Sequence, residues 1–115
     1  MSRGPKPYYA REPRSDIRIP ARLFFDGVQR EAQLVNVSLS GGFLVASEPP
    51  GAQQVIALAV VPPVGEPIYF HATVIRVEET SERVGCAVKF LNLSPESEGR
   101  LAYLIKRTAV PRPQK

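Results

Sequence analysis

The sequence predicts a small, mainly β fold, in which six antiparallel strands form a closed or nearly closed barrel and one helix follows them. Three observations support this prediction. Twelve Pro and eight Gly among 115 residues divide the chain into short segments. Those segments are rich in β-branched and aromatic residues, and several alternate between apolar and polar positions. Only one stretch, near the C-terminus, carries the start and end signals of a helix.

The strands are separated by clear turn signals. Asp26 and Gly27 form the strongest of them, since Asp-Gly favours a two-residue hairpin between the first and second strands. Pro-rich breaks at 49–51 and 62–67 separate the strands that follow. The predicted strands span residues 17–25, 28–37, 42–47, 54–61, 68–79 and 82–93.

The fifth strand is the longest, and its apolar alternation is not continuous. The phase slips near Ala72 and Thr73, which predicts a β-bulge at that point. The expected core contacts from this strand are Ile68, Phe70, either Val74 or Ile75, and Val77.

The helix is expected over residues 95–107. Ser94 suits the N-cap and Pro95 the first helical position, and two glutamates follow in the first turn. An apolar stripe follows, made of Leu101, Leu104 and Ile105. The expected organisation is a flexible basic arm over 1–13, one domain over 14–107 and a disordered tail over 108–115.

The composition excludes several classes of site. One Cys and one His provide neither a disulfide framework nor a four-ligand structural zinc site. Cys86 lies in an apolar run and is expected to be a buried thiol, and His71 is expected to be an ordinary strand residue. No paired carboxylates, nucleophile motif or phosphate-binding loop is present, so the chain is not expected to be an enzyme. The longest apolar run, 55–61, is too short to cross a bilayer and no secretory signal opens the chain, so a cytoplasmic location is expected.

The net charge of +4 is concentrated at the two ends. Residues 1–22 carry six basic and two acidic side chains, whereas residues 23–99 carry four basic and nine acidic ones. Residues 100–115 add five basic side chains and no acid. This distribution fits either simple solubility or the capture of a compact anion by the basic arm.

Two short motifs carry the functional signal. "RSDIR" places Arg14 and Arg18 four residues apart, and two guanidinium groups held close together favour an anion between them. "NVSLSGG", at residues 36–42, offers the side chains of Asn36 and Ser38 as hydrogen-bonding groups. If the two lie on a strand, they point to the same face. Gly41 would permit a close approach of the backbone to a ligand or a positive φ.

Together these motifs resemble the RxxxR and [DN]xSxxG signatures of the PilZ domain family, in the family's order and spacing. The likeness extends over about residues 11–107. It implies a six-stranded antiparallel barrel that acts as a receptor for the bacterial second messenger cyclic di-GMP and needs no cofactor. The ligand-binding residues it implies are Arg14, Arg18, Asn36, Ser38 and Gly41, with Arg11 and Gly42 as possible secondary contacts.

In this interpretation the RxxxR segment becomes ordered on the ligand and passes the signal to a protein partner that the sequence does not identify. Many family members carry two adjacent arginines where this chain has Pro13 and Arg14. In the family, residues at this point influence whether one or two cyclic di-GMP molecules bind, so the resemblance leaves both numbers open. Two alternatives also stand: a PilZ-like protein-interaction module without nucleotide binding, and a small barrel that binds single-stranded nucleic acid.

Overall fold

The computed structural model describes residues 18–108. All six predicted strands and the helix are present. They are β1 (Arg18–Phe25), β2 (Val28–Val35), β3 (Gly41–Val45), β4 (Val55–Val60), β5 (Ile68–Glu79), β6 (Val84–Leu91) and α1 (Pro95–Thr108). The predicted arm, residues 1–13, lies outside the described part of the chain. Thr108, which was assigned to the tail, is the last residue of α1.

The strands form a closed barrel in the order β1-β2-β3-β6-β5-β4, and β4 pairs with β1 to complete it. Every pair of neighbouring strands is antiparallel. The predicted fold class is therefore confirmed, and the barrel is closed rather than nearly closed.

Residues with a left-handed backbone mark several strand ends. Asp26 and Gly27 have φ values of 56° and 77°, as a two-residue hairpin turn requires, and the predicted β1–β2 hairpin is confirmed. Asn36 and Asn92 have φ values of 49° and 44° and directly follow the last residues of β2 and β6. These two strands end earlier than predicted because a left-handed residue cannot continue an extended strand.

The β-bulge in β5 lies further along the strand than predicted. The register against β6 shifts between Val74 and Arg76, not near Ala72 and Thr73. Ala72 is fully buried, so the inward alternation continues through it without interruption. The inward-facing residues of β5 are Ile68, Phe70, Ala72 and Val74.

The bulge also changes which residues of β5 reach the core. Either Val74 or Ile75 was predicted as a core contact, and the structure buries Val74 and exposes Ile75. Val77 was wrongly predicted as a core residue, since 41% of it is exposed. Ile75 is the extra residue at the register shift and is exposed, whereas Val77 pairs with Cys86 beyond the shift and is exposed near the end of β5.

Helix α1 packs against the barrel through the predicted apolar stripe. Leu101 and Leu104 belong to the buried core, and Ile105 packs against it. The Ser94 hydroxyl accepts a hydrogen bond from the Ser97 amide at 3.0 Å, which confirms the predicted N-cap. Within residues 18–108, α1 falls short of the length and apolarity that a membrane-crossing helix needs.

The single cysteine is a buried core residue, as predicted. Cys86 is fully inaccessible, and its burial raises the pKa of the thiol to about 11. The thiol therefore stays protonated at neutral pH and does not supply a reactive thiolate. His71 is an exposed residue of β5, and no group of His, Cys, Asp or Glu within residues 18–108 could hold a metal ion.

Candidate functional site

The "NVSLSGG" motif forms the loop between β2 and β3 and the start of β3. Asn36 is left-handed, a conformation that Asn adopts more readily than most residues. Asn36 and Ser38 lie in a loop between β2 and β3. The alternation of side chains along a strand therefore does not apply to them. Both side chains nevertheless line the same surface depression.

Hydrogen bonds within the loop fix its shape. The Ser38 amide donates to the Gly41 carbonyl oxygen at 2.8 Å, and the Ser40 amide donates to the Ser38 hydroxyl at 3.2 Å. The hydroxyl oxygens of Ser38 and Ser40 are 3.1 Å apart, and both residues are exposed. The Ser40 carbonyl oxygen accepts a further bond from the Phe90 amide at 2.8 Å, which ties the loop to β6. A fixed pair of hydroxyl groups thus faces solvent.

The two glycines at the end of the motif let backbones approach closely. A Cβ on Gly41 would overlap the carbonyl oxygen of Val88 on β6. A Cβ on Gly42 would come within 3.1 Å of the Leu34 side chain. A positive φ or a close approach of the backbone was predicted for Gly41. Its φ is not positive, so close approach is the role that the structure supports. The structure shows that approach toward β6, which keeps the surface low at this point.

The loop borders an open depression of about 500 Å³ on the outer face of β3, β6 and β5. It brings together four of the predicted residues, Asn36, Ser38, Gly41 and Gly42. The other lining residues are Ser40, Phe43, Ile75, Arg76, Arg83, Ala87, Val88 and Lys89.

Three basic side chains in the depression were not predicted as site residues. They are Arg76 on β5, Arg83 just before β6 and Lys89 on β6. The Arg83 guanidinium lies 3.9 Å from the ring centre of Phe43 and 3.4 Å from a carboxylate oxygen of Glu78. Its position is therefore held from two sides. Because these side chains share the depression with the two serine hydroxyls, it suits an anionic ligand that also offers hydrogen-bonding groups.

Arg18 lies beside this loop but does not line the depression. It is the first residue of β1 and pairs with Val35, which directly precedes Asn36. Its guanidinium is exposed and donates a hydrogen bond to the Gln33 side-chain oxygen at 2.9 Å. Arg14 and Arg11 lie outside the described residues.

A comparison with protein families gives one match, the PilZ domain, over residues 9–107. The chain belongs to the PilZ domain family. The matched range contains both motifs, and the resemblance inferred from them is confirmed. No curated protein sequence matches the chain.

Several solved structures share the fold. The PilZ domain of YcgR from Escherichia coli, solved with c-di-GMP, has a TM-score of 0.68 and 18% identity over 82% of this chain and 86% of that domain. YcgR of Escherichia coli in complex with c-di-GMP has a TM-score of 0.66 and 21% identity over 81% of this chain and 42% of that one. The inhibitor of motility MotI (DgrA) of Bacillus subtilis has a TM-score of 0.67 and 17% identity over 85% of this chain and 50% of that one. This PilZ chain thus spans half or less of the length of the two longer proteins.

Proposed function

We propose that this PilZ domain is a receptor that binds cyclic di-GMP without transforming it. The observation that carries the proposal is the placement of the signature residues. Asn36, Ser38 and Gly41 line one exposed depression, and three basic side chains share it. A ligand with two phosphates and two guanine bases offers the negative charge and the hydrogen-bonding edges that such a surface suits.

The arginines of the RxxxR segment complete the proposed site. Arg18 is exposed and next to the loop, and its hydrogen bond to Gln33 is a surface contact that a phosphate oxygen can replace at little cost. Arg14 is four residues earlier and would bring a second guanidinium to the same ligand. Their planar forks suit phosphate oxygens and the acceptor edge of guanine. The c-di-GMP present in the YcgR structures supports this choice of ligand.

A titration with labelled cyclic di-GMP tests the receptor function. We expect saturable binding that unlabelled cyclic di-GMP reverses, whereas cyclic di-AMP, GTP and poly(U) compete poorly. Cyclic di-AMP and poly(U) lack the guanine edges that the site reads, and GTP offers only one guanine and no cyclic pair of phosphates. The same titration gives the number of ligands per chain. Equal displacement by poly(U), with a steep salt dependence, would instead favour single-stranded nucleic acid as the ligand.

The choice of variant matters for this titration. Ser38→Ala removes an exposed hydroxyl that also accepts a hydrogen bond from the Ser40 amide, so Ser40→Ala accompanies it as the variant that removes the neighbouring hydroxyl and keeps the backbone hydrogen bonds of the loop. Gly41→Ala is unsuitable, because its Cβ would push β3 away from β6 and change the barrel itself.

The proposed output is a change in the RxxxR segment that a protein partner reads. A ligand held jointly by Arg14, Arg18 and the Asn36–Gly41 loop would fix residues 11–18 against the barrel. We therefore expect amide hydrogen exchange in residues 11–18 to slow when cyclic di-GMP is added, while exchange in α1 stays unchanged. Exchange in 11–18 that is already slow in the free protein would exclude this switch, even if the ligand binds.

A further inference from the structure

Small residues and basic residues of three neighbouring strands line the depression together. On the outer face of the barrel, Gly41 of β3 lies opposite Lys89 of β6. In the adjacent row, Phe43 of β3 lies opposite Ala87 of β6, and Ala87 lies opposite Arg76 of β5. Gly41 has no side chain and that of Ala87 is a single methyl group, so their cross-strand neighbours Lys89 and Arg76 border open space beside the serine loop.

The β-bulge in β5 is what brings Arg76 to this surface. The inward series ends at Val74, and strict alternation would direct residue 76 into the apolar barrel. The register shift between Val74 and Arg76 places Arg76 outside instead, opposite Ala87. Bulges occur often beside functional sites, where they redirect a side chain. Here the redirected side chain is an arginine on the wall of the depression.

Two of the three basic side chains have no acidic partner in the structure. Arg83 is paired with Glu78, but neither Arg76 nor Lys89 forms a salt bridge to any acidic side chain within residues 18–108. Both are exposed. Their positive charge is therefore available to an anion that enters the depression from solvent.

We infer that Arg76 and Lys89 bind the ligand directly, as the basic side of the cyclic di-GMP site that the Asn36–Gly41 loop borders; this inference rests on the proposed function. Lys89 carries a compact ammonium group that suits a phosphate. Arg76 carries a planar fork that suits the O6 and N7 acceptors of guanine. Arg76 thus contributes to base selectivity, and Lys89 contributes charge without selectivity.

Four variants of the full chain test these two roles. Arg76→Gln and Lys89→Gln remove one charge each from the depression. Arg107→Gln and Lys106→Gln remove the same charges from the exposed end of α1 and serve as matched controls. Dissociation constants are measured for cyclic di-GMP and cyclic di-AMP at two salt concentrations, and thermal unfolding of each variant shows whether the fold is intact.

Arg76→Gln and Lys89→Gln are expected to differ in their effect on base selectivity. Arg76→Gln should weaken cyclic di-GMP binding by about tenfold and narrow the preference over cyclic di-AMP. Lys89→Gln should weaken both ligands by a similar factor of about five and reduce the salt dependence. The α1 controls should stay within about twofold of the unsubstituted protein, since long-range charge effects are screened.

The outcomes separate this inference from the proposed function. If the unsubstituted protein binds cyclic di-GMP and both Gln variants match their α1 controls, Arg76 and Lys89 are not ligand contacts and the receptor function stands. If the unsubstituted protein does not bind cyclic di-GMP, both proposals fall. If Arg76→Gln also unfolds at a lower temperature, the Arg76 side-chain Nε–Hε resonance of the unsubstituted protein decides: a shift on adding cyclic di-GMP supports the contact, and no shift overturns it.

Discussion

Replacing both Arg14 and Arg18 with alanine is expected to weaken cyclic di-GMP binding by about a hundredfold or more while the barrel stays folded. Each charge-assisted hydrogen bond contributes about 1.5–3 kcal/mol, and about 1.4 kcal/mol corresponds to a tenfold change in affinity. Among residues 18–108, the side-chain hydrogen bond that Arg18 loses in the free protein is an exposed one to Gln33. Calorimetric titration of the double variant measures the affinity, and thermal unfolding measures the stability.

A charge-matched control accompanies this experiment. Arg30→Ala with Arg107→Ala also removes two positive charges, one from a surface ion pair between the half-buried Arg30 and the exposed Glu48 and one from the end of α1. Exposed ion pairs contribute little to stability, so this control should fold and bind almost normally. Equal affinity in the two double variants would mean that the RxxxR arginines do not hold the ligand.

Gly85→Ala is expected to lower the free energy of unfolding by about 3 kcal/mol, the upper end for overpacking a tightly packed site. Gly85 lies on β6 opposite Val45, where β3 and β6 are packed closely. A Cβ on Gly85 would overlap the Leu44 carbonyl oxygen and come within 2.7 Å of the Phe43 ring. Because backbone cannot move aside as a side chain does, β3 and β6 must separate. For a domain of this size, that loss lowers the melting temperature by about 10–20 °C.

Gly99→Ala provides the matched control with the opposite sign. Gly99 lies within α1, and a Cβ there would meet no atom within 4 Å. The same chemical change should therefore raise stability by about 0.5–1 kcal/mol, because Ala favours the helix over Gly. Denaturant unfolding of both variants gives the two free energies. If Gly85→Ala is as stable as the unsubstituted protein, β3 and β6 do not approach each other as closely as described.

The fold could be predicted where local signals were strong. Asp26-Gly27 specifies its hairpin through the backbone that these residues prefer, and Ser94 with Pro95 specifies the start of α1 through capping. The position of the β-bulge was predicted wrongly because Ala72, although small, is a buried, inward-facing residue of β5. Side-chain size in a single sequence does not show that a position is buried, because that depends on the strand across from it.

The candidate site could be predicted only in the part that is contiguous in sequence. Asn36, Ser38, Gly41 and Gly42 lie in one short motif, and the structure brings them to one depression. The basic residues of the depression come from β5, from β6 and from the turn between them, more than thirty positions later along the chain. The outward alternation of β6 could have indicated Lys89 as exposed. Its place beside Gly41 depends on the pairing of β3 with β6, which a single sequence does not show.

Closure of the barrel limits how another protein can recognise this domain. Among residues 18–108, every strand has a neighbour on both sides, and only parts of strands, such as the first half of β2 and the two ends of β5, extend beyond one of their neighbours. No strand is therefore an edge along its whole length, which restricts recognition by strand addition and edge-to-edge aggregation to those short extensions. Elsewhere a partner of the described part of the chain must recognise side chains. Its specificity can then change by substitutions on the outer face that leave the backbone pairing of the barrel intact.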